Sequence, residues 1–109
     1  MRGRGDEVKL FLSKDILTAF EYVAQGGQAL HVWNPPRVNG RSVYPEPKVP
    51  ECFAQAATWG HLIDDDADRL IRTARRLGVR RIVVSRAGKR GQHIDLCRAP
   101  LRRAIAEAT

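Results

Sequence analysis

Cysteine is scarce in this chain: only two of its 109 residues are cysteines, and they do not form a Cys-x-x-Cys pair. Their wide separation argues against a zinc ribbon and against a thioredoxin-type redox centre. Cys52 and Cys97 are therefore expected to be reduced, partly buried thiols, as in most cytosolic proteins.

Long apolar runs are also missing. No stretch approaches the roughly 20 residues that a membrane-spanning helix needs. The charged N-terminus is followed by a short apolar stretch that Lys9 and Lys14 interrupt, which makes a poor secretory signal. We therefore expect a cytoplasmic protein without a membrane partner.

What the chain does contain is the composition of a globular protein, with 43% hydrophobic and 28% charged residues. A chain of this length can bury one modest core but not two independent ones. We therefore treat residues 1–109 as a single domain.

Strand-like and helical segments alternate in the first third of the sequence. Strands are predicted at Val8–Leu12 and Gln28–Trp33, because both are short and rich in β-prone residues. Between them, apolar residues repeat at helical spacing from Ile16 onward, and Gly26 and Gly27 end that helix. Ser13 or Asp15 is a candidate cap for its first turn.

Residues 34–50 interrupt this alternation. They hold five of the six prolines together with the turn-forming pair Asn39-Gly40. We expect a surface loop with a small hairpin inside it, because long connections without regular structure are usually functional or disordered. A short helix is predicted after the loop, over residues 51–59.

The second half predicts two helices and two strands. Over residues 64–77, aspartates crowd the first helical turn and arginines the last, the order that the helix dipole favours. Strands are predicted at residues 80–86 and at His93–Leu96, and Pro100 is expected to start the last helix. The elements together predict an α/β (or α+β) domain with a three- to five-stranded mixed sheet flanked by about three helices.

Positive charge is concentrated in the C-terminal half. The chain carries a net charge of +7, and residues 61–109 contribute +6 of it, from 12 basic and 6 acidic side chains. Eleven of those 12 cations are arginines, whose planar guanidinium binds phosphate with two hydrogen bonds. The predicted partner is a nucleic acid, a nucleotide or another polyanion, and the alternative is a solvated basic surface that keeps the protein soluble.

The turn over residues 88–91, Gly-Lys-Arg-Gly, is a candidate phosphate-binding loop. Its glycines permit a close backbone approach, and Lys89, Arg90 and the preceding Arg86 supply positive charge. It lacks the Walker A pattern and does not open a helix, which excludes a nucleotide P-loop. The alternative is a polar hairpin turn.

His93 and Asp95 stand two residues apart on a predicted strand and therefore point to the same side. Asp95 could orient His93, or both could bind a divalent metal ion. Alternatively, Asp95 caps the last helix or pairs with an arginine. His61 precedes the aspartate-rich helix start, where the helix dipole would keep its imidazole neutral, as a base or ligand requires.

The candidate metal ligands are His61, Asp65, His93 and Asp95. His31 lies on an apolar strand and is expected to be a structural histidine. Aromatic residues flank the proline-rich loop and are expected either to stack on bases or to anchor the loop. They are Trp33, Tyr44 and Trp59.

Several short motifs follow one another in the C-terminal half: Trp59-Gly60-His61-Leu62-Ile63, Leu77-Gly78-Val79, His93-Ile94-Asp95-Leu96 and the basic pair Arg102-Arg103. Together they resemble the domain-of-unknown-function family 4031 of bacteria and phages. The resemblance covers about 50 of the 109 residues, within 61–109 and the two positions before it.

This chain departs from that family at two places. Ile94 stands where the family commonly has tyrosine, and His31-Val32-Trp33-Asn34 lacks the paired aspartates that end the family's first strand. The resemblance implies no activity. It does imply a greater importance for His61, His93 and Asp95.

These features predict a phosphodiesterase or nuclease-like hydrolase. His61 and His93 would exchange a proton as base and acid, and Asp95 would orient His93. Lys89, Arg90 and Arg86 would neutralise the phosphate in the transition state. A variant of this hypothesis places a divalent metal ion between the candidate ligands.

A different hypothesis is a non-catalytic binding module, such as a phage regulator or a defence inhibitor. It would use arginines to contact nucleic acid or an acidic protein surface, and its binding would weaken steeply with salt. The residues it depends on are Arg72, Arg76, Arg102 and Arg103. A third hypothesis is a basic subunit of a homo-oligomer.

Overall fold

The computed structural model describes residues 8–34, 37–38, 41–42 and 58–108. Within them lie six strands and three helices, together with a turn of 3-10 helix at Ser13–Asp15. The strands are β1 (Val8–Leu12), β2 (Gln28–Trp33), β3 (Arg37–Val38), β4 (Arg41–Ser42), β5 (Trp59–Ile63) and β6 (His93–Leu96), and the helices are α1 (Ile16–Ala24), α2 (Ala67–Arg76) and α3 (Arg98–Glu107).

Four of the strands form one mixed sheet in the order β1-β2-β5-β6. β1 and β2 are parallel, and the two remaining pairs are antiparallel. Three helices accompany this sheet, which confirms the predicted small α+β domain with a mixed sheet. The register sets four residues side by side across the sheet: Phe11, His31, His61 and Asp95.

One face of the sheet carries the larger core. Leu30, Leu62 and Ile94 are fully buried there, and they pack with apolar residues of α2 and α3. Gly60 allows the close approach of α3, because a Cβ at this position would lie 2.5 Å from Leu101 Cδ1. Both C-terminal helices therefore cover this face.

Among the described elements, α1 packs against the opposite face, at one end of it. Ala19 and Val23 of this helix pack against Phe11, Ala29 and Ile63. Side chains two apart on a strand point the same way. His31, two residues after Ala29, and His61, two residues before Ile63, therefore continue this face beyond the helix. The candidate site lies on that continuation.

The start of α2 differs slightly from its prediction. The helix begins at Ala67, because Asp66 is its N-cap and accepts a hydrogen bond from the Arg69 amide at 3.0 Å. Gly78 follows the helix in the left-handed conformation, with φ of 97°. Asp15, one of the two candidate caps, occupies the N-cap position of α1, but its side chain makes no cap hydrogen bond there.

Two element predictions are wrong. Residues 80–86 form no strand, and only Ser85 makes an isolated bridge, to His93. Val83 is 55% exposed while Ile82 and Val84 pack on the core, so the segment covers the core without a strand ladder. The prediction of a helix over residues 51–59 is wrong at its C-terminal end, because Trp59 begins β5. Residues 51–57 lie outside the described part.

The proline-rich segment is described only in part. β3 and β4 pair as two antiparallel two-residue strands, and the intervening Asn39-Gly40 lies outside the described residues. Cys97 is buried, whereas Cys52 lies outside the described residues. None of the helices in the described ranges is long and apolar enough to cross a bilayer.

A buried ion pair connects the sheet to α2. Asp64 follows β5 and is 0% exposed, and both of its carboxylate oxygens lie 2.6 Å from the Arg69 guanidinium. Gln28 Nε2 also donates to this carboxylate, at 3.0 Å. The main chain of Asp64 is bonded twice to Gln92, whose amide side chain donates to the Asp64 carbonyl at 2.9 Å. Asp64 therefore fixes the segment that leads into β6.

Replacing Asp64 by asparagine should lower the free energy of unfolding by about 3–5 kcal/mol, because the Arg69 guanidinium would lose its buried counter-charge. Urea denaturation measures this difference. The matched control is Asp65→Asn, which changes an exposed neighbour and should stay within about 0.5 kcal/mol of wild type. Equal stabilities of the two variants would contradict the role given to Asp64.

Candidate functional site

His61, His93 and Asp95 come together on the face of the sheet that α1 leaves open. Asp95 is paired with His61 across β5 and β6, and His93 lies two residues before Asp95 on the same strand. Asp95 Oδ1 lies 3.6 Å from His61 Nε2 and 3.3 Å from His93 Nε2. One ligand atom from each of the three side chains fits within a distance of 4.8 Å.

The orientation of His93 is set by the turn before it. Its Nδ1 lies 2.7 Å from the Gly91 carbonyl oxygen, which can only accept a hydrogen bond. Nδ1 therefore carries the proton. In the neutral ring, Nε2 is then a bare acceptor that faces Asp95.

The orientation of His61 is set by a second histidine. His31 Nε2 lies 3.1 Å from the Ser13 carbonyl oxygen and must donate to it, which leaves His31 Nδ1 as an acceptor. His61 Nδ1 lies 3.1 Å from that atom and therefore carries the proton between them. His61 Nε2 is consequently also a bare acceptor.

Three acceptors thus point at one another: two imidazole Nε2 atoms and a carboxylate oxygen. Such an arrangement requires a positive charge between its members, which is either a proton on His93 or a metal ion that displaces it. Two histidines whose second nitrogens donate to fixed acceptors, together with a carboxylate, are the usual ligands of a protein metal site. The side chain of Asp95 is 37% exposed, so solvent reaches the centre.

The two site histidines have opposite pKa shifts. The pKa of His61 is lowered to about 4, chiefly by burial. The neighbouring His93 and His31 also act to lower this pKa, whereas the attraction of Asp95 acts to raise it. Burial also disfavours charge on His93, but hydrogen bonds to Asp95 and to the Gly91 carbonyl raise its pKa above the ordinary value. Burial, rather than the predicted helix dipole, keeps His61 neutral, because His61 lies within β5.

The predicted basic turn is directly connected to this cluster. Arg86 adopts a left-handed backbone conformation with φ of 55°, and its Nε donates to the Arg90 carbonyl at 2.9 Å. The positive charge of Arg86 partly opposes the upward shift of the His93 pKa, so the turn lies within electrostatic range of the cluster. The Arg90 guanidinium lies 5.2 Å from the centre of the Phe20 ring, and Lys89 is exposed.

A cleft of about 340 Å³ separates this turn from α1. Phe20 and Val23 line its apolar side, and Lys89 and Arg90 line its basic side. Asp65 lies here rather than in the cluster of His61, His93 and Asp95. Of the four candidate metal ligands, the structure therefore brings together three.

The other predicted binding residues lie away from the cluster. Arg72 and Arg76 belong to α2 and Arg102 and Arg103 to α3, the helices that cover the opposite face of the sheet. All four are exposed. Arg76 pairs with Glu107, and Arg103 donates to the Leu77 carbonyl at 2.9 Å.

Aromatic side chains extend the face beyond the histidines. Trp33 is paired with Trp59 in the sheet, and their rings meet edge to face, with 6.0 Å between centroids. The Trp33 ring also lies over His61, at 5.5 Å and an interplanar angle of 24°. Both tryptophans therefore border the site, whereas Tyr44 lies outside the described residues.

His31 is the site residue that sequence reasoning assigned to structure alone. Its position in an apolar strand does not indicate which residue of a neighbouring strand it would contact. The pairing of β2 with β5 places it opposite His61, a register that depends on the strand order.

Comparisons of the chain with family models, with curated proteins and with solved structures give no match. The resemblance of residues 61–109 to family 4031 therefore stays a prediction. The function has to be argued from the geometry of the site.

NMR titration of the histidine rings in the presence of EDTA should separate the two site histidines. His61 should stay neutral until the pH approaches about 4, whereas His93 should titrate above 6.5. The unfolded chain binds the His61 proton more tightly than the folded chain does. His61 therefore lowers the free energy of unfolding as the pH falls from 6.5 towards 4. A common midpoint near 6.5 for both rings would show that neither environment acts as described.

Proposed function

We propose that this chain is a metal-dependent phosphodiesterase or nuclease-like hydrolase directed at nucleic acids or nucleotides. The divalent ion is bound by His61 Nε2, His93 Nε2 and an Asp95 carboxylate oxygen. The observation that carries the proposal is the convergence of these three acceptors, with the outer nitrogen of each imidazole already committed to donate.

The donor set favours zinc. Imidazole nitrogen suits Zn²⁺ and other late transition metals, whereas Mg²⁺ and Ca²⁺ prefer oxygen alone. Hydrolytic zinc sites have three protein ligands and keep the fourth position for water. The partly exposed Asp95 leaves such a position on the solvent side.

The short distances within the cluster disfavour a metal-free exchange of protons between His61 and His93. An in-line displacement places the attacking and the leaving oxygen on opposite sides of phosphorus. A base and an acid for that reaction must therefore have a phosphate group between them. Here both Nε2 atoms lie within 3.6 Å of the same carboxylate oxygen, which leaves room for a proton or an ion.

His61, His93 and Asp95 would hold the ion, and the ion would supply a water with a pKa of about 7 as the nucleophile near neutral pH. Attack of the water oxygen on phosphorus would break the ester P–O bond. The water would release its proton to solvent, and the leaving oxygen would take up a proton from solvent. The products are a phosphate monoester and an alcohol.

The basic turn supplies positive charge for the substrate. Arg86 and Lys89 are exposed and belong to the segment that leads into His93. Phosphate is a group that such cations bind. The same turn lines the cleft next to α1. Nucleic acid and nucleotides combine the phosphate and the ring surfaces that this face could contact.

Wild-type protein should bind one Zn²⁺ or Co²⁺ per chain, measured by isothermal titration calorimetry. His61→Ala, His93→Ala and Asp95→Asn should each weaken binding more than about 100-fold, because loss of an outer partner alone costs roughly 10–100-fold. The same variants should lose hydrolysis of a bis-nitrophenyl phosphate ester while the melting temperature changes little.

Two outcomes would overturn this proposal. Hydrolysis that survives EDTA but needs both histidines would show a metal-free acid–base pair instead. Absence of both metal binding and hydrolysis in the wild type would leave a binding module. Asp65→Asn serves as the matched control for metal binding. Asp65 lines the cleft beside the basic turn and lies outside the cluster, so this change should leave the metal affinity unchanged.

The salt dependence of nucleic-acid binding should distinguish the two basic surfaces. Lys89→Ala should raise KM and lower the slope of log K against log salt by about 1. Arg72→Ala, on the opposite face of the sheet, is the control and should leave KM unchanged. If Arg72 rather than Lys89 governs binding, the exposed arginines of α2 and α3 form the binding surface, as the non-catalytic hypothesis requires.

A further inference from the structure

His31 is a buried histidine that contacts the proposed metal ligand His61. It is 5% exposed and belongs to β2, directly opposite His61 of β5. The two ring planes are 5° apart, with 3.1 Å between the Nδ1 atoms and 5.3 Å between the centroids. These distances describe rings that meet edge to edge in one plane, the geometry in which an N–H points along the partner's lone pair.

The direction of this hydrogen bond follows from Ser13. Its carbonyl oxygen lies 3.1 Å from His31 Nε2 and cannot donate, so that nitrogen carries the His31 proton. His31 Nδ1 can then only accept, and His61 must be protonated at Nδ1. The Ser13 carbonyl, just after β1, thus determines which nitrogen of His61 is free.

We infer that His31 is a positioning residue that holds His61 in its Nδ1–H tautomer and aims Nε2 at the metal ion. The inference deepens the proposed function, because it rests on the metal site formed by His61, His93 and Asp95. The fixed partner matters because a free imidazole can exchange tautomers and rotate, and an outer-shell acceptor raises the basicity of the ligand. For His93, the Gly91 carbonyl has the same effect.

Three substitutions separate this role from simple packing. His31→Asn keeps an oxygen acceptor close to the position of Nδ1, whereas His31→Gln places its amide near the position of Nε2. His31→Phe keeps the size of the ring and removes both polar atoms. All three replace the imidazole at the same buried position, so packing defects alone would not rank them by the acceptor at Nδ1.

Co²⁺ binding, followed by its visible absorption, should rank the variants by that acceptor. His31→Phe and His31→Gln should weaken binding about 10–100-fold, and His31→Asn should restore most of the affinity. Equal affinities for wild type and all variants would overturn the inference, as would an asparagine variant as weak as the phenylalanine variant. If His31→Phe fails to fold, the comparison of asparagine with glutamine decides.

The tautomer itself can be observed without metal. Long-range ¹H–¹⁵N correlations recorded in EDTA at about pH 8, above the ordinary histidine pKa, report which nitrogen of His61 carries the proton. The expected result is Nδ1–H in wild type and in His31→Asn, with loss of this preference in His31→Phe. Nε2–H in wild type would overturn the inference. Failure of Co²⁺ binding in a wild type with the expected tautomer would instead reject the metal centre.

Discussion

The ion pair between Asp64 and Arg69 is the interaction on which the rest of the structure depends. A carboxylate with no exposure is stable only where its charge is paired and its oxygens accept hydrogen bonds, and Asp64 meets both conditions. Through Gln92 it also holds the chain that enters β6. One residue later stands His93, so the position of a proposed metal ligand is fixed by a buried structural contact.

The order of the strands in the sheet brings the residues of the candidate site together. β5 lies between β2 and β6, and its register places His61 between His31 and Asp95. Because α1 covers only part of this face, His61 and Asp95 stay half-buried and within reach of solvent, whereas His31 is buried. Half-burial keeps His61 neutral, as a metal ligand must be, while backbone carbonyls at Ser13 and Gly91 set the tautomers.

The sequence allowed the fold class to be predicted, because periodicity and turn residues report on each element separately. It also singled out His61, His93 and Asp95, although for reasons that the structure changes. The sequence predicts that His61 precedes a helix start, but His61 lies within β5, and the aspartates after it include the N-cap Asp66. The role of His31 could not be predicted, since it depends on which strands are neighbours. Residues 80–86 show that β-prone residues can cover a core with a single bridge and no strand.

The most direct test of the metal centre is the position of the ion itself. Anomalous diffraction from crystals grown with Zn²⁺ should place the ion about 2.0–2.2 Å from His61 Nε2, His93 Nε2 and an Asp95 oxygen. A fourth, water-filled position on the solvent side is expected. An ion bound elsewhere, or coordinated through the Nδ1 atoms, would contradict the account, and so would crystals in which these three side chains hold no ion at saturating Zn²⁺.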